Sequence, residues 1–431
     1  MSRIRKTTLP NGIIVATEEL PDVYSGSIGI WIDTGSRDER KGNSGVAHFF
    51  EHMAFKGTST RTGREIVNAL ESGGGQLNAF TTKEQTCFYA KVIEGEVPLA
   101  LEILLDMVFN PVLEESDLKK EREIIIEELK GYHDNPDEWV YDLFGSALFG
   151  GQGMGFPIAG TVQSMRSLKR PRLLSHLKRI RNRLPVYVVA SGKLRHRELV
   201  RITRSMTRSY NMTQVNGKTR AGIPRTQVAR GKVRYFPRHL IKKKDVQQAN
   251  VIMGGRAYPI GDKRCFPLII LNNILGDGMS SRLFQMLREE YGYVYHVNSF
   301  TEGLIQAGVT GISFNTEPKY LEKTLKLINR ELTGLKEKGV SQQELAFSKR
   351  YHRGTFLLEM ESTQSRMAFL ARLVMRGGAI NSQARYLQAL ESVTLDDVNK
   401  VVRDLFHSRR WALASVMPKK LKADTRKLMD F

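Results

Sequence analysis

Apolar and polar positions divide the chain into two passages of similar order. In the first, Gly12 to Ala16 and Ser25 to Ile32 alternate or run apolar in the manner of sheet strands, with turn-forming residues between them. Val46, Phe49, Phe50 and Met53 then recur at the spacing of a helix's buried stripe, and Ser44 stands where an N-cap belongs. A helix over 64–71, the glycine turn Gly73-Gly74-Gly75 and strands over 76–81 and 86–92 follow. Helices over 99–108 and 116–133 close the passage, the second with acids in its first turn and Ile124-Ile125-Ile126 setting its buried side.

The second passage repeats this order. A strand over 251–254, a buried helix over 265–275 and the turn Gly276-Asp277-Gly278 precede strands over 293–301 and 308–315 and a helix over 319–336. The segment 92–96 with its following Ser116-Asp117-Leu118 resembles 314–318 with Ser341-Gln342-Gln343, at offsets of 222 and 225 residues. Such constancy predicts an internal duplication: two α+β domains, 1–215 and 216–431, joined through a turn-rich linker at Asn211, Asn216, Gly217, Gly222 and Pro224. A chain of 431 residues with 41% hydrophobic content can bury two such cores.

Composition changes this picture little. No apolar run approaches the roughly 20 residues of a membrane-spanning helix, and the basic N-terminus lacks the apolar stretch of a secretion signal. Two cysteines, Cys87 and Cys265, are too few for a disulfide framework, so a reducing, cytoplasmic setting is expected. The net charge of +21 is concentrated: residues 166–245 hold 24 Lys and Arg against two acids, Glu198 and Asp245. That stretch could attract nucleic acid, an anionic membrane or acidic peptides. With only Tyr187, Tyr210, Tyr235 and Phe236 as aromatics, it lacks a stacking platform for single strands. A solvated or substrate-steering face is the expectation, and nucleic acid is not an expected partner.

Chemistry concentrates at His48-Phe49-Phe50-Glu51-His52. Residues four apart share a helix face, so His48 and His52 can present two imidazoles to one cation. Glu51, one turn from His48, places a carboxylate where it can take a proton from water on that cation. A catalytic zinc usually has three protein ligands, and the helix around Glu121 to Glu128 offers several acids. Glu121 and Glu128, two turns apart, share a face, which allows Glu128 to bind metal while Glu121 accepts an imidazole N–H. The other seven histidines, His133, His176, His196, His239, His296, His352 and His407, form no second cluster and are read as structural; His296 stands out only for adjoining Tyr295.

The stretch from His48 to Thr58 resembles the metal helix of the pitrilysin/insulinase family, most closely its mitochondrial processing peptidase-like branch of short bacterial enzymes. Further similar segments are Gly74 to Thr81, Glu121 to Glu128, Pro157 to Thr161, and Gly278 to Phe284 with Leu287-Arg288-Glu289. The resemblance implies a processing peptidase-like metallohydrolase: two homologous α/β-sandwich-like domains, each a mostly antiparallel sheet packed with helices. It implies Zn²⁺ on His48, His52 and Glu128, with Glu51 as base and Glu121 as supporting carboxylate. It further implies that Arg288 and Tyr295 of the second domain stabilise charge on the scissile carbonyl, and that Asn78 and Ala79 bind extended peptide on a strand edge. Family chambers contain four such units, which implies a homodimer closing around unfolded peptides or small proteins. The alternatives are a non-catalytic scaffold subunit of the same family and a surface-binding protein using the basic stretch.

Overall fold

A computed structural model of the chain describes all residues except 1–2, 210–213, 216–217, 220–231, 377–382, 422–428 and 430. The turn-rich linker residues Asn211, Asn216, Gly217, Gly222 and Pro224 lie outside the described residues.

The first sheet contains β1 (Arg3–Thr8), β2 (Ile14–Glu19), β3 (Ser25–Ile32), β4 (Gln76–Thr81), β5 (Thr86–Ile93) and β6 (Val186–Gly192), in the order β1-β2-β6-β3-β5-β4. Neighbours are antiparallel except β2 and β6. The second sheet contains β7 (His239–Lys244), β8 (Ala249–Ala257), β9 (Val294–Gly303), β10 (Gly308–Thr316) and β11 (Trp411–Pro418), in the order β9-β10-β8-β11-β7. Its one parallel pair is β11 with β7. Read inward from the parallel pair, both sheets have the same wiring, as a duplication requires. Each sheet is mostly antiparallel and packed with helices, as expected from the sequence.

Several expected elements are found nearly residue for residue, among them β4 and the helix Cys265–Leu275. The strands β6 and β11, each paired on both sides within its sheet, are additions to that reading. They are almost wholly buried, and a continuous apolar run carries no two-residue alternation by which to recognise a strand.

The chain forms two compact units, and neither is one continuous stretch. Met1–Leu129, Phe156–Arg230 and Leu357–Ile380 make the first; Lys130–Gly155, Gly231–Phe356 and Asn381–Phe431 make the second. In the first unit the helix Val97–Phe109 packs on one face of the sheet. The other face buries Trp31, Cys87, Tyr187 and Val189 against Met367, Leu370, Ala371, Val374 and Met375 of helix Thr363–Met375. In the second unit the corresponding cover is helix Pro136–Phe149, whose Val140, Leu143, Phe144 and Leu148 pack on Ile252, Val309, Ala412 and Val416. Gly254 permits this approach, since a Cβ there would come within 3.0 Å of the Phe144 ring and 2.4 Å of the Thr310 carbonyl oxygen. Each half of the sequence therefore supplies a helix to the sheet formed by the other half. Among the described residues, no helix is long and apolar enough to cross a membrane.

Candidate metal centre

The helix Val46–Ala54 buries Val46, Ala47, Phe49, Phe50, Met53 and Ala54 in the first core, which turns His48, Glu51 and His52 to its opposite face. Its start differs from the expected Ser44 cap. Gly45 is the N-cap, at φ +90°, and the Ser44 hydroxyl is buried without a hydrogen-bond partner. A Cβ on Gly45 would lie 2.2 Å from Met165 Cε and 2.6 Å from the Ala159 carbonyl oxygen, so glycine satisfies both the left-handed backbone and the close packing. Glu39 performs the capping instead. Its two carboxyl oxygens accept the N–H groups of Gly45 at 2.6 Å and Ala47 at 2.9 Å, satisfying two donors at the start of the helix, while burial raises the Glu39 pKa to about 8.

The acids come from helix Glu115–Asp134, which buries Leu118, Glu121, Ile125, Ile126 and Leu129. Of the expected isoleucine run, Ile125 and Ile126 face inward, but Ile124 is 50% exposed because three consecutive helical positions cannot share one face. His48, His52 and Glu128 each offer a ligand atom, all within 4.8 Å of one another, and no other such cluster occurs among the described residues. Nε2 of His48 is 3.8 Å from Oε1 of Glu128, and Nε2 of His52 is 3.6 Å from Oε2. These gaps are long for hydrogen bonds. They are close to the ~3.3 Å that separates two ligands each about 2 Å from a tetrahedral ion.

Electrostatics favour the same use. Burial, with His52 nearby, lowers the His48 pKa to about 4, leaving a neutral imidazole with a lone pair to donate at neutral pH. Nδ1 of His52 lies 3.2 Å from Glu121 Oε2, so an Nδ1–H donated to that carboxylate leaves Nε2 free to ligate. Oε1 of Glu121 is 2.6 Å from the Lys56 ammonium. Glu51 stands beside the ligand set, with Oε2 accepting the hydroxyl of Thr81 at the end of β4. Burial raises its pKa, an effect partly offset by that hydrogen bond and by His52. Two imidazoles and one carboxylate, with the carboxyl group of Glu51 beside them, fit a zinc ion and its base.

Of the remaining expected site residues, Asn78, Ala79 and Tyr295 lie on edge strands and Arg288 on a helical turn. β4 is an edge strand on which Asn78 is exposed and Ala79 half-buried, and the Asn78 side-chain oxygen accepts the Ala79 backbone N–H at 2.7 Å. In the second unit, Arg288 belongs to the π-helical turn Gln285–Glu290, and its guanidinium lies 5.2 Å from the ring centre of Tyr295. A register shift in β9 between Val294 and Val297 turns Tyr295 outward, where it is 74% exposed. Of the histidines read as structural, His176 is fully buried against Phe50, with its pKa lowered by burial to about 3, and His196 bonds the Thr7 and Thr17 hydroxyls. Glu39 lies outside every motif segment, and although Lys56 and Thr81 fall within the segments 48–58 and 74–81, their partners Glu121 and Glu51 are set by contacts distant in sequence.

A cluster of two imidazoles and a carboxylate, with a second carboxylate beside it, on one half of a duplicated α+β fold defines a candidate metal-dependent hydrolase. The chain belongs to the insulinase family, peptidase family M16: that family's model matches residues 14–162, and the model described as the peptidase M16 inactive domain matches 167–351. A zinc protease of Bacillus subtilis is 34% identical over 96% of this chain and 98% of its own length. One from Streptomyces coelicolor is 35% identical over 98% and 91%. Among solved structures, a protease from Helicobacter pylori shares the fold with a TM-score of 0.85 at 20% identity, over 97% of this chain and 100% of that one. An M16-like peptidase from Alicyclobacillus acidocaldarius gives 0.80 at 20% identity, over 97% and 98%.

Proposed function

We propose that this protein is a zinc endopeptidase that hydrolyses unfolded peptides or small proteins. The observation that carries the reading is the convergence of His48, His52 and Glu128 with Glu51 one turn away on the same helix. Zinc, when bound, supplies a Lewis acid for the scissile carbonyl. His48 and His52 hold it as neutral imidazoles, with Glu128 as the anionic ligand and Glu121 keeping His52 in the required tautomer. Glu51 takes the proton of the attacking water and returns it to the departing amine. Its raised pKa brings it toward neutrality, where a general base and acid are both effective. Arg288 and Tyr295, already paired, are assigned to the oxygen that gains negative charge. The edge of β4 at Asn78 and Ala79 is assigned to backbone pairing with the substrate, which must displace the Asn78 oxygen from the Ala79 N–H.

The processing peptidase-like branch is favoured by the motif from His48 to Thr58, and a homodimer by the four-unit chambers of the family. A content of two cysteines, too few for a disulfide framework, favours a reducing, cytoplasmic setting. Metal analysis combined with cleavage of a quenched random-peptide mixture, with and without chelator and in His52→Ala, tests the central reading. Stoichiometric zinc and chelator-sensitive cleavage, both lost in the variant, are expected. Zinc without cleavage would identify a non-catalytic partner subunit, and neither would refute the metal centre.

A further inference from the structure

We propose that Lys56 is a positioning residue for the metal centre: seated on one oxygen of Glu121, its ammonium holds the other oxygen on His52 and so fixes where the imidazole lone pair points. The inference rests on the reading of His52 as a metal ligand. Glu121 has a side chain only 5% exposed, yet it is a carboxylate, and a buried carboxylate keeps its place only where its charge is compensated. Its Oε2 meets His52 Nδ1 at 3.2 Å and its Oε1 meets Lys56 Nζ at 2.6 Å. Because Nδ1–H of a ligating histidine is a neutral donor, Lys56 is the cation in this chain of contacts. Without it, Glu121 retains one neutral donor in a water-poor place, and rotation toward solvent would release Nδ1 and let the ring turn.

The backbone gives Lys56 a fixed origin for this task. Its amide bonds the Met53 carbonyl at 3.1 Å, continuing the last turn of the metal helix. Beyond it, Gly57 accepts from the Val112 N–H at 3.1 Å and Ser59 donates to the Asn110 carbonyl at 3.1 Å, tying the turn to the segment that leads into the acid-bearing helix. One ammonium thereby bridges the helix that supplies the histidines and the helix that supplies Glu121 and Glu128. This differs from an exposed ion pair of small effect, because one partner is buried and bonded to a ligand.

The test is zinc affinity, measured by competition with a chromophoric chelator on the full chain, together with the visible absorption of the cobalt(II)-loaded protein. Lys56→Met should weaken zinc binding about ten-fold, the lower end for loss of a partner behind a ligand, and alter the cobalt spectrum. Lys56→Arg should restore both. The melting temperature of each metal-free variant checks that the fold is kept, with Lys56→Gln as a second neutral variant if Lys56→Met is unstable. If Lys56 acts through Glu121, Lys56→Met adds no further loss in a Glu121→Gln background. Unchanged affinity and spectrum in the neutral variants, or additive losses in the double variant, overturn the proposal while His52-dependent zinc binding stands. Absence of His52-dependent zinc binding in the parent chain overturns the metal reading and this proposal with it.

Discussion

Glu51→Gln separates the base from the ligands. Glu51 is not among the three residues whose ligand atoms cluster within 4.8 Å, and its contact with the Thr81 hydroxyl can be kept by an amide oxygen. The variant should therefore bind zinc as the parent does. Losing a general base removes about 10² to 10⁴ in rate, or about 3 to 5 kcal/mol of transition-state stabilisation at ~1.4 kcal/mol per decade. The fold should respond in the opposite direction. Burial raises the Glu51 pKa, so the folded chain holds this proton more tightly than the unfolded one. The stability linked to that proton is present below the unfolded carboxylate value and is lost as pH rises through the higher folded value. Near pH 7 the buried carboxylate thus works against folding, and Gln removes the charge. Metal-free Glu51→Gln should melt at or above the parent temperature at pH 7, with the gap closing below about pH 4. Zinc content, kcat/KM on a quenched peptide and a melting curve test all three statements. Retention of more than a tenth of the activity, or loss of zinc along with it, would refute the division of roles.

Further outcomes are expected. Glycine 45 tolerates no Cβ, so Gly45→Ala should lower stability by about 1 kcal/mol or more and weaken zinc binding, as read by melting and chelator competition. The kcat/KM profile should fall in acid as the raised pKa of Glu51 is crossed, above the ordinary carboxylate range. Because the His48 pKa is lowered to about 4, zinc measured at each pH should persist further into acid than activity. The fragment 1–215 lacks Met367, Leu370, Val374 and Met375, whose burial is worth about 1.5–3 kcal/mol each. Their sum rivals the 5–15 kcal/mol net stability of a typical domain, so the fragment should bind an apolar dye and melt without cooperativity. Tyr295→Phe should reduce kcat more than it raises KM if the hydroxyl serves the transition state; an effect on KM alone would assign it to ground-state binding.

The helices and the ligand motif were legible because each is written in neighbouring residues. Spacings of three and four place His48, Glu51 and His52 on the face opposite Phe49, Phe50 and Met53 without reference to the rest of the chain. The seven-residue spacing of Glu121 and Glu128 is equally local. The repeated order of elements foretold the matching wiring of the two sheets.

Contacts between distant stretches obey no such periodicity. Position 124 was read inward because isoleucine is apolar, whereas helix rotation, set by what the helix packs against, turned it out. Ser44 has the chemistry of a cap, but the left-handed Gly45 and the carboxyl group of Glu39 took that role once the preceding loop folded back on the helix. The sequence by itself determined which residues could ligate a metal and on which helical faces they stand. Tertiary structure alone decided that two helices from separate stretches meet at those faces, that Lys56 closes on Glu121, and that each sheet is covered by a helix from the other half. Those outcomes depend on burial of whole surfaces and on compensation of buried charge, which are properties of the packed chain and of no window along it.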